Sequence, residues 1–124
     1  LEKGSMTLAR RDTGEKETVA ENEVTQRVSK LLEAIQSNLF QRAIAFRSEN
    51  THEVNLWEEF QDAISKKGGF LMAHWCGNAR CEEKIKEETR ATIRCIPFNQ
   101  KDEKGKCLFC GEESNSRVIF AKAY

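Results

Sequence analysis

Polar and apolar positions alternate at the start of the chain, where Met6, Leu8 and Arg10 interleave with Thr7 and Ala9. Asp12-Thr13-Gly14-Glu15 follows with turn chemistry, and Glu17-Thr18-Val19 returns, so the first predicted element is a β-hairpin. A two-stranded hairpin alone is marginal in water. The expectation is therefore a sheet whose remaining strands lie elsewhere, with this chain a part of a longer protein. The period then changes to 3.6. Val24, Val28, Leu31, Leu32, Ile35, Leu39, Ala43 and Phe46 predict a helix over 22–46 with this stripe as core, spanning on the order of 35 Å. Ser48-Glu49-Asn50-Thr51 ends it. A second helix is expected to be capped by Asn55, with Glu58 reciprocating, to turn Leu56, Phe60 and Ile64 inward, and to stop at Lys67-Gly68-Gly69.

The second half reads as a sheet interrupted by one helix. Residues 70–75 are apolar apart from His74, which predicts an inner strand feeding directly into Cys76. Asn78 caps a short charged helix to about residue 88, placing Cys81 in a first turn whose free N–H groups favour a thiolate. A strand over 91–98, closed by Pro97, a polar turn over 99–106 and a last strand over 117–124 complete the pattern. The predicted class is α+β: a small mixed layer stapled by a four-cysteine site, preceded by a hairpin and a long helix.

The cysteines carry the chemistry. Cys76 and Cys81 stand in WCGNARC, and Cys107 and Cys110 in KCLFCG. A C-x2-C followed by glycine is a knuckle that turns two sulfurs toward one point, and Gly77-Asn78 supplies the bend that the longer C-x4-C spacing needs. Four thiolates from two short segments suit a structural zinc ion. Disulfides and a redox pair are the rival readings. No secretory leader or membrane-length apolar run is visible in the sequence, so a reducing, cytoplasmic location is expected, and there paired cysteines point to metal or catalysis. CLFCGEES does not resemble the strand-to-helix junction of a thioredoxin-type motif. Cys95 alternates with Ala91 and Ile93 and is read as a small buried apolar residue. His74 lies two residues before Cys76, but four thiolates already complete a tetrahedron, so it is read as a satisfied or partly exposed histidine.

Composition narrows the partners. Twenty basic and twenty acidic residues give a net charge of zero, which argues against a freestanding nucleic-acid binder without excluding a contribution to a larger binding surface. Hydrophobic residues at 39% support a real but modest core, for which a metal staple is a plausible supplement. The GEKE and EEKIKEE runs read as solvated faces.

LEKGSMTLARRDTGEKETV, LLEAIQSNLFQRA, HWCGNARCEEKIKEETRATIRCIPF, CLFCG and RVIFAKAY, in that order, resemble prolyl-tRNA synthetase of the archaeal-like type over essentially the whole chain. The resemblance implies that residues 1–46 are the end of an anticodon-binding domain and residues 47–124 a C-terminal zinc-binding domain. It matches Cys76, Cys81, Cys107 and Cys110 to the family's zinc ligands. Lys16 matches a lysine that contacts tRNA anticodon bases, and Tyr124 a terminal tyrosine whose carboxylate reaches toward the active site. It further implies ATP and magnesium in a catalytic domain outside these residues, proline and tRNA(Pro) as substrates, and a homodimer, while the lack of an 18-residue apolar stretch is what predicts no membrane partner. No P-loop, paired-carboxylate acid/base site or activated nucleophile can be assembled from these 124 residues. The alternative is a stand-alone zinc-stapled module that binds protein or RNA without catalysis.

Overall fold

The opening alternation folds as an antiparallel pair, β1 (Ser5–Ala9) with β2 (Lys16–Ala20), in register from Ser5↔Ala20 to Ala9↔Lys16. The turn closes through the Arg10 N–H, which donates to the Glu15 carbonyl at 2.8 Å. The computed structural model describes residues 4–122, and the chain divides into two units, Leu1–Arg47 and Ser48–Tyr124.

A 3₁₀ turn (Glu21–Glu23) leads into α1 (Val24–Glu49). Val24, Val28, Leu31 and Ile35 form a half-buried line along this helix. The expectation that the whole stripe is core is corrected: no residue of α1 is buried, and Leu32, Leu39 and Phe46 are 62%, 49% and 69% exposed. A two-stranded ribbon is too narrow to cover a stripe that wide. Among the described residues of this unit only Val19 is buried. Polar links hold the ribbon to the helix instead. Arg27 donates to both carboxylate oxygens of Glu17 at 2.8 Å, and the Asn38 amide donates to Asp12 at 2.7 Å while Arg10 grips the same carboxylate.

The second unit is built on a four-stranded sheet in the order β3 (Thr51–Glu53), β4 (Phe70–His74), β8 (Arg117–Lys122), β5 (Ala91–Cys95). β3 runs parallel to β4, and the other pairs are antiparallel. The apolar hexamer is thus an inner strand, as its lack of a polar face predicts. Register places Leu71 opposite Phe120 and Ala73 opposite Val118 on one face. That face meets Phe60 and Ile64 of α2 (Trp57–Lys66) and Ile85 of α3 (Ala79–Thr89) in one buried cluster. Phe60 stacks on Trp57 and stands edge-on to Phe120. The opposite face carries Met72 against Ile119 and His74 against Arg117. A two-residue hairpin, β6 (Gly105–Lys106) with β7 (Glu113–Ser114), forms a separate small sheet around the second cysteine pair.

Several local expectations give way. Asn55 does not cap α2. Leu56 occupies the cap without a side-chain bond and is 60% exposed rather than inward, because the Asn55 carboxamide oxygen accepts from Arg117 at 2.8 Å. The strand expected over 91–98 ends at Cys95. A bulge between Ile93 and Cys95 puts two steps of β5 opposite one of β8, so Cys95 leaves the face of Ala91 and Ile93 and is exposed. β3, β6 and β7 were not expected at all.

Candidate metal centre

Two loops and the start of one helix converge beyond β4. Cys76 follows β4 directly, and Cys81 lies in the first turn of α3, which Asn78 caps by accepting from the Arg80 N–H at 3.0 Å. Trp75 fixes the intervening bend, its indole N–H donating to the Asn78 carbonyl at 3.2 Å. Cys107 leaves β6 and is tied by its N–H to the Glu112 carbonyl at 2.7 Å, while the Gly111 N–H returns to the Cys107 carbonyl at 3.0 Å. Gly111 takes φ 76, a left-handed conformation that a side chain at this tight turn would resist. The Leu108 N–H donates to the His74 carbonyl at 2.9 Å, and Phe109 stands edge-on to Trp57, so the knuckle is seated on both β4 and α2.

The Sγ atoms of Cys76, Cys81, Cys107 and Cys110 all lie within 4.8 Å of one another, with 3.7 Å between Cys76 and Cys81 and 3.6 Å between Cys76 and Cys110. Sulfurs bonded as a disulfide would stand about 2.05 Å apart. Four sulfurs at about 2.3 Å from one tetrahedral ion would have edges of about 3.8 Å, so the donor set matches a thiolate-bound metal ion in kind, number and spacing. Electrostatics agree. The expectation that first-turn N–H groups favour a Cys81 thiolate is corrected: burial, with the neighbouring thiols adding to it, pushes that thiol well above the ordinary range, and burial raises that of Cys76. Burial also pushes Cys107 upward, but the N–H groups of Cys110, Phe109 and Cys76 outweigh it and bring it down to about 7. Four crowded sulfurs cannot all ionise unless a cation neutralises them.

The other sequence-predicted residues stand apart from this cluster. His74 is buried, with Nδ1 3.2 Å from the Ser114 hydroxyl, and is not among the clustered ligand atoms. Cys95 is exposed on β5. Lys16 is exposed at the start of β2, where with Arg10, Glu15, Glu17, Arg27 and Leu31 it lines an open depression of about 300 Å³. Tyr124 lies outside the described residues. The sequence reading missed Arg117, whose side chain is 8% exposed. It bonds to Glu103 through two nitrogens at 3.0 and 2.8 Å, to Asn55, and to the carbonyls of Val54 and Met72 at 3.2 and 3.3 Å. A charge opening an otherwise apolar strand was the one signal that could have found it.

Comparison with known proteins agrees with this architecture. Residues 57–124 match the family model described as prolyl-tRNA synthetase, C-terminal. The proline–tRNA ligase of Flavobacterium johnsoniae is 51% identical, and that of Christiangramia forsetii 47%, each over all 124 residues of this chain and 25% of the relative's length. The crystal structure of prolyl-tRNA synthetase from Cryptosporidium parvum complexed with L-proline and AMP superposes with a TM-score of 0.90 at 31% identity, covering 99% of this chain and 26% of that one. The chain thus spans about a quarter of the length of the relatives it matches. With more than half of its residues under the family model, a relative near half identity across its full span, and the same fold, the chain belongs to the prolyl-tRNA synthetase C-terminal family.

Proposed function

We propose that this chain is the C-terminal portion of a cytoplasmic proline–tRNA ligase, which activates proline with ATP and magnesium and transfers it to tRNA(Pro). The observation that carries the reading is identity across all 124 residues to proline–tRNA ligases. Within it, residues 1–46 are the end of the anticodon-binding domain and residues 47–124 the zinc-binding domain. Zinc is the ion for Cys76, Cys81, Cys107 and Cys110. A closed four-thiolate set leaves no open position for substrate, so the metal's contribution is to fix the fold. Lys16, exposed beside Arg10 and Arg27, makes no ion pair among the described residues, whereas those arginines are engaged by Asp12 and Glu17. Its ammonium is suited to base or phosphate acceptors of the anticodon. The full enzyme is a homodimer.

Aminoacylation by the full-length protein, with each amino acid and a tRNA mixture, tests the reading: proline alone should be transferred, and transfer of another amino acid or none overturns it. Metal analysis should return one zinc per chain, and iron in its place would overturn the choice of ion. Lys16→Ala should weaken tRNA use and leave prolyl-adenylate formation nearly intact.

A further inference from the structure

We infer that Arg117, acting through Glu103, is a positioning residue for the metal centre: the pair fastens the 99–106 segment to the sheet, so that Cys107 and Cys110 are already presented to Cys76 and Cys81 when the ion binds. The inference rests on the metal reading above.

The segment between β5 and β6 has almost no regular structure of its own, yet it must return the chain to within one sulfur tetrahedron of Cys76. Ordering an irregular backbone costs conformational entropy at every residue fixed. If nothing but the ion held this segment, metal binding would carry that cost, and affinity would fall accordingly. The fold supplies other fastenings. All five N–H donors of Arg117 are used: two bonds to Glu103, one to Asn55, and one each to the carbonyls of Val54 and Met72. The guanidinium therefore joins β8, β4 and the connection before α2 to a single carboxylate on the returning segment. Glu103 is held at its backbone as well, its N–H donating to the Asn115 carbonyl at 2.9 Å.

Between this clamp and the knuckle the segment lies flat on His74. A Cβ built on Gly105 would fall 2.3 Å from His74 Nε2, a distance no side chain can occupy, so the backbone approaches the imidazole as closely as glycine alone permits. On the far side of Gly105 the Leu108 N–H bonds to the His74 carbonyl. His74 Nδ1 faces Ser114 Oγ, whose hydroxyl donates to the Ser116 carbonyl at 2.9 Å. Glu103, Gly105 and Leu108 thus touch down in sequence along Arg117 and His74, adjacent partners on β8 and β4. None of these contacts draws on a sulfur–metal bond to place Cys107. Arg117 touches no sulfur, so its effect is transmitted through the loop.

The test is zinc affinity of the full-length protein, measured by competition with a chelator of known affinity, for wild type, Glu103→Gln and Glu103→Asp. Glutamine keeps the shape but sets an amide N–H against the guanidinium. Aspartate keeps the charge but is one methylene too short to reach the guanidinium in the same paired geometry. Both should bind zinc with unchanged stoichiometry, Glu103→Gln about 10–100-fold more weakly and Glu103→Asp by less. Each variant is also melted in a Cys107→Ser background, where the metal site is broken. A positioning role makes the melting shift larger with the site intact. A purely structural role gives equal shifts in both backgrounds and an unchanged zinc affinity, which would overturn the inference while leaving the metal centre standing. A wild type that binds no zinc would overturn both.

Discussion

The hairpin-helix unit and the sheet unit meet the same problem, too little chain to bury a large core, in different ways. The first has a single buried side chain among its described residues, Val19, and ties strand to helix through Arg27–Glu17 and Asn38–Asp12. It leaves Leu32, Leu39, Phe40 and Phe46 exposed along α1. The second gathers ten buried apolar residues around Phe60 and Phe120, adds a four-cysteine cluster, and encloses one buried arginine with a full set of acceptors. Polar links on a solvated surface contribute little and are screened by salt. Apolar burial and metal ligation contribute several kcal/mol each. The second unit should therefore be the cooperative one. Both tryptophans, Trp57 and Trp75, lie in it. Their fluorescence reports on that unit alone, while helical circular dichroism is weighted toward α1.

The largest expected effect is loss of the metal. Cys107→Ser should abolish zinc binding and, for zinc held about a thousandfold above its Kd, cost about 4 kcal/mol. That lowers the tryptophan melting transition by about 15–30 °C. Cys95→Ala, at an exposed position outside the cluster, should change neither quantity. Retention of metal by Cys107→Ser together with its loss from Cys95→Ala would show that the ligand set is wrong.

Next comes a matched pair of phenylalanines. Phe60 is fully buried, stacked on Trp57 and edge-on to Phe120, so Phe60→Ala should cost about 3–5 kcal/mol. Phe40 is 59% exposed, so Phe40→Ala in this same chain should change stability by less than about 0.5 kcal/mol. Similar losses from both, measured by urea unfolding, would break the contrast between the units.

The same contrast explains what the sequence could reveal. Inner strands and knuckles announce themselves. The apolar run through β4, the Asn78 cap and the two cysteine spacings depend on local chemistry, and the fold places those elements and sulfurs together as the spacing required. Features decided by a distant partner were illegible. Thr51-His52-Glu53 has no strand pattern and pairs because β4 offers an edge, beginning where the Phe70 N–H meets the Asn50 carbonyl at 2.8 Å. Asn55 has good capping chemistry but is claimed by Arg117, which lies 62 residues away. The α1 stripe has helical periodicity, but periodicity states which residues share a face and not how much of that face a partner covers. Cys95 was misplaced because a bulge resets alternation without leaving a mark in composition.

Acid should separate the two units more finely. Arg117, chiefly through its hydrogen bonds, draws the Glu103 carboxyl down from the ordinary 4.5 to about 2. A depressed carboxyl pKa means that the unfolded chain takes up protons first. The contribution is therefore complete above about pH 4.5 and is lost as pH falls toward about 2. Since zinc also dissociates in acid, the clean measurement is in a Cys107→Ser background. There the tryptophan transition should fall across this window, and Glu103→Gln should flatten the slope. Asp12 in the first unit is likewise held below the usual range, first by its hydrogen bonds from Arg10, so acid should loosen the hairpin independently of the tryptophan signal. A slope that survives Glu103→Gln would assign the acid sensitivity of the second unit to another carboxylate.

The smallest effect concerns how much local strain the better-packed unit tolerates. α3 ends at Arg90 in the left-handed region, φ 61 and ψ 8, and Arg90 is the one described non-glycine residue with positive φ. Its N–H still closes the helix on the Lys86 carbonyl at 2.8 Å, so the conformation is required by the turn into β5 rather than chosen by arginine. A side chain there costs about 1 kcal/mol relative to glycine, partly offset by the extra freedom glycine gives the unfolded chain. Arg90→Gly should therefore stabilise the second unit by about 0.5 kcal/mol, raising the tryptophan transition by about 2–4 °C. It should leave zinc affinity unchanged, because α3 presents Cys81 at its opposite end. If the variant instead lowers the transition, the Arg90 side chain contributes contacts that outweigh the strain of its backbone, and the helix end is held by more than its turn.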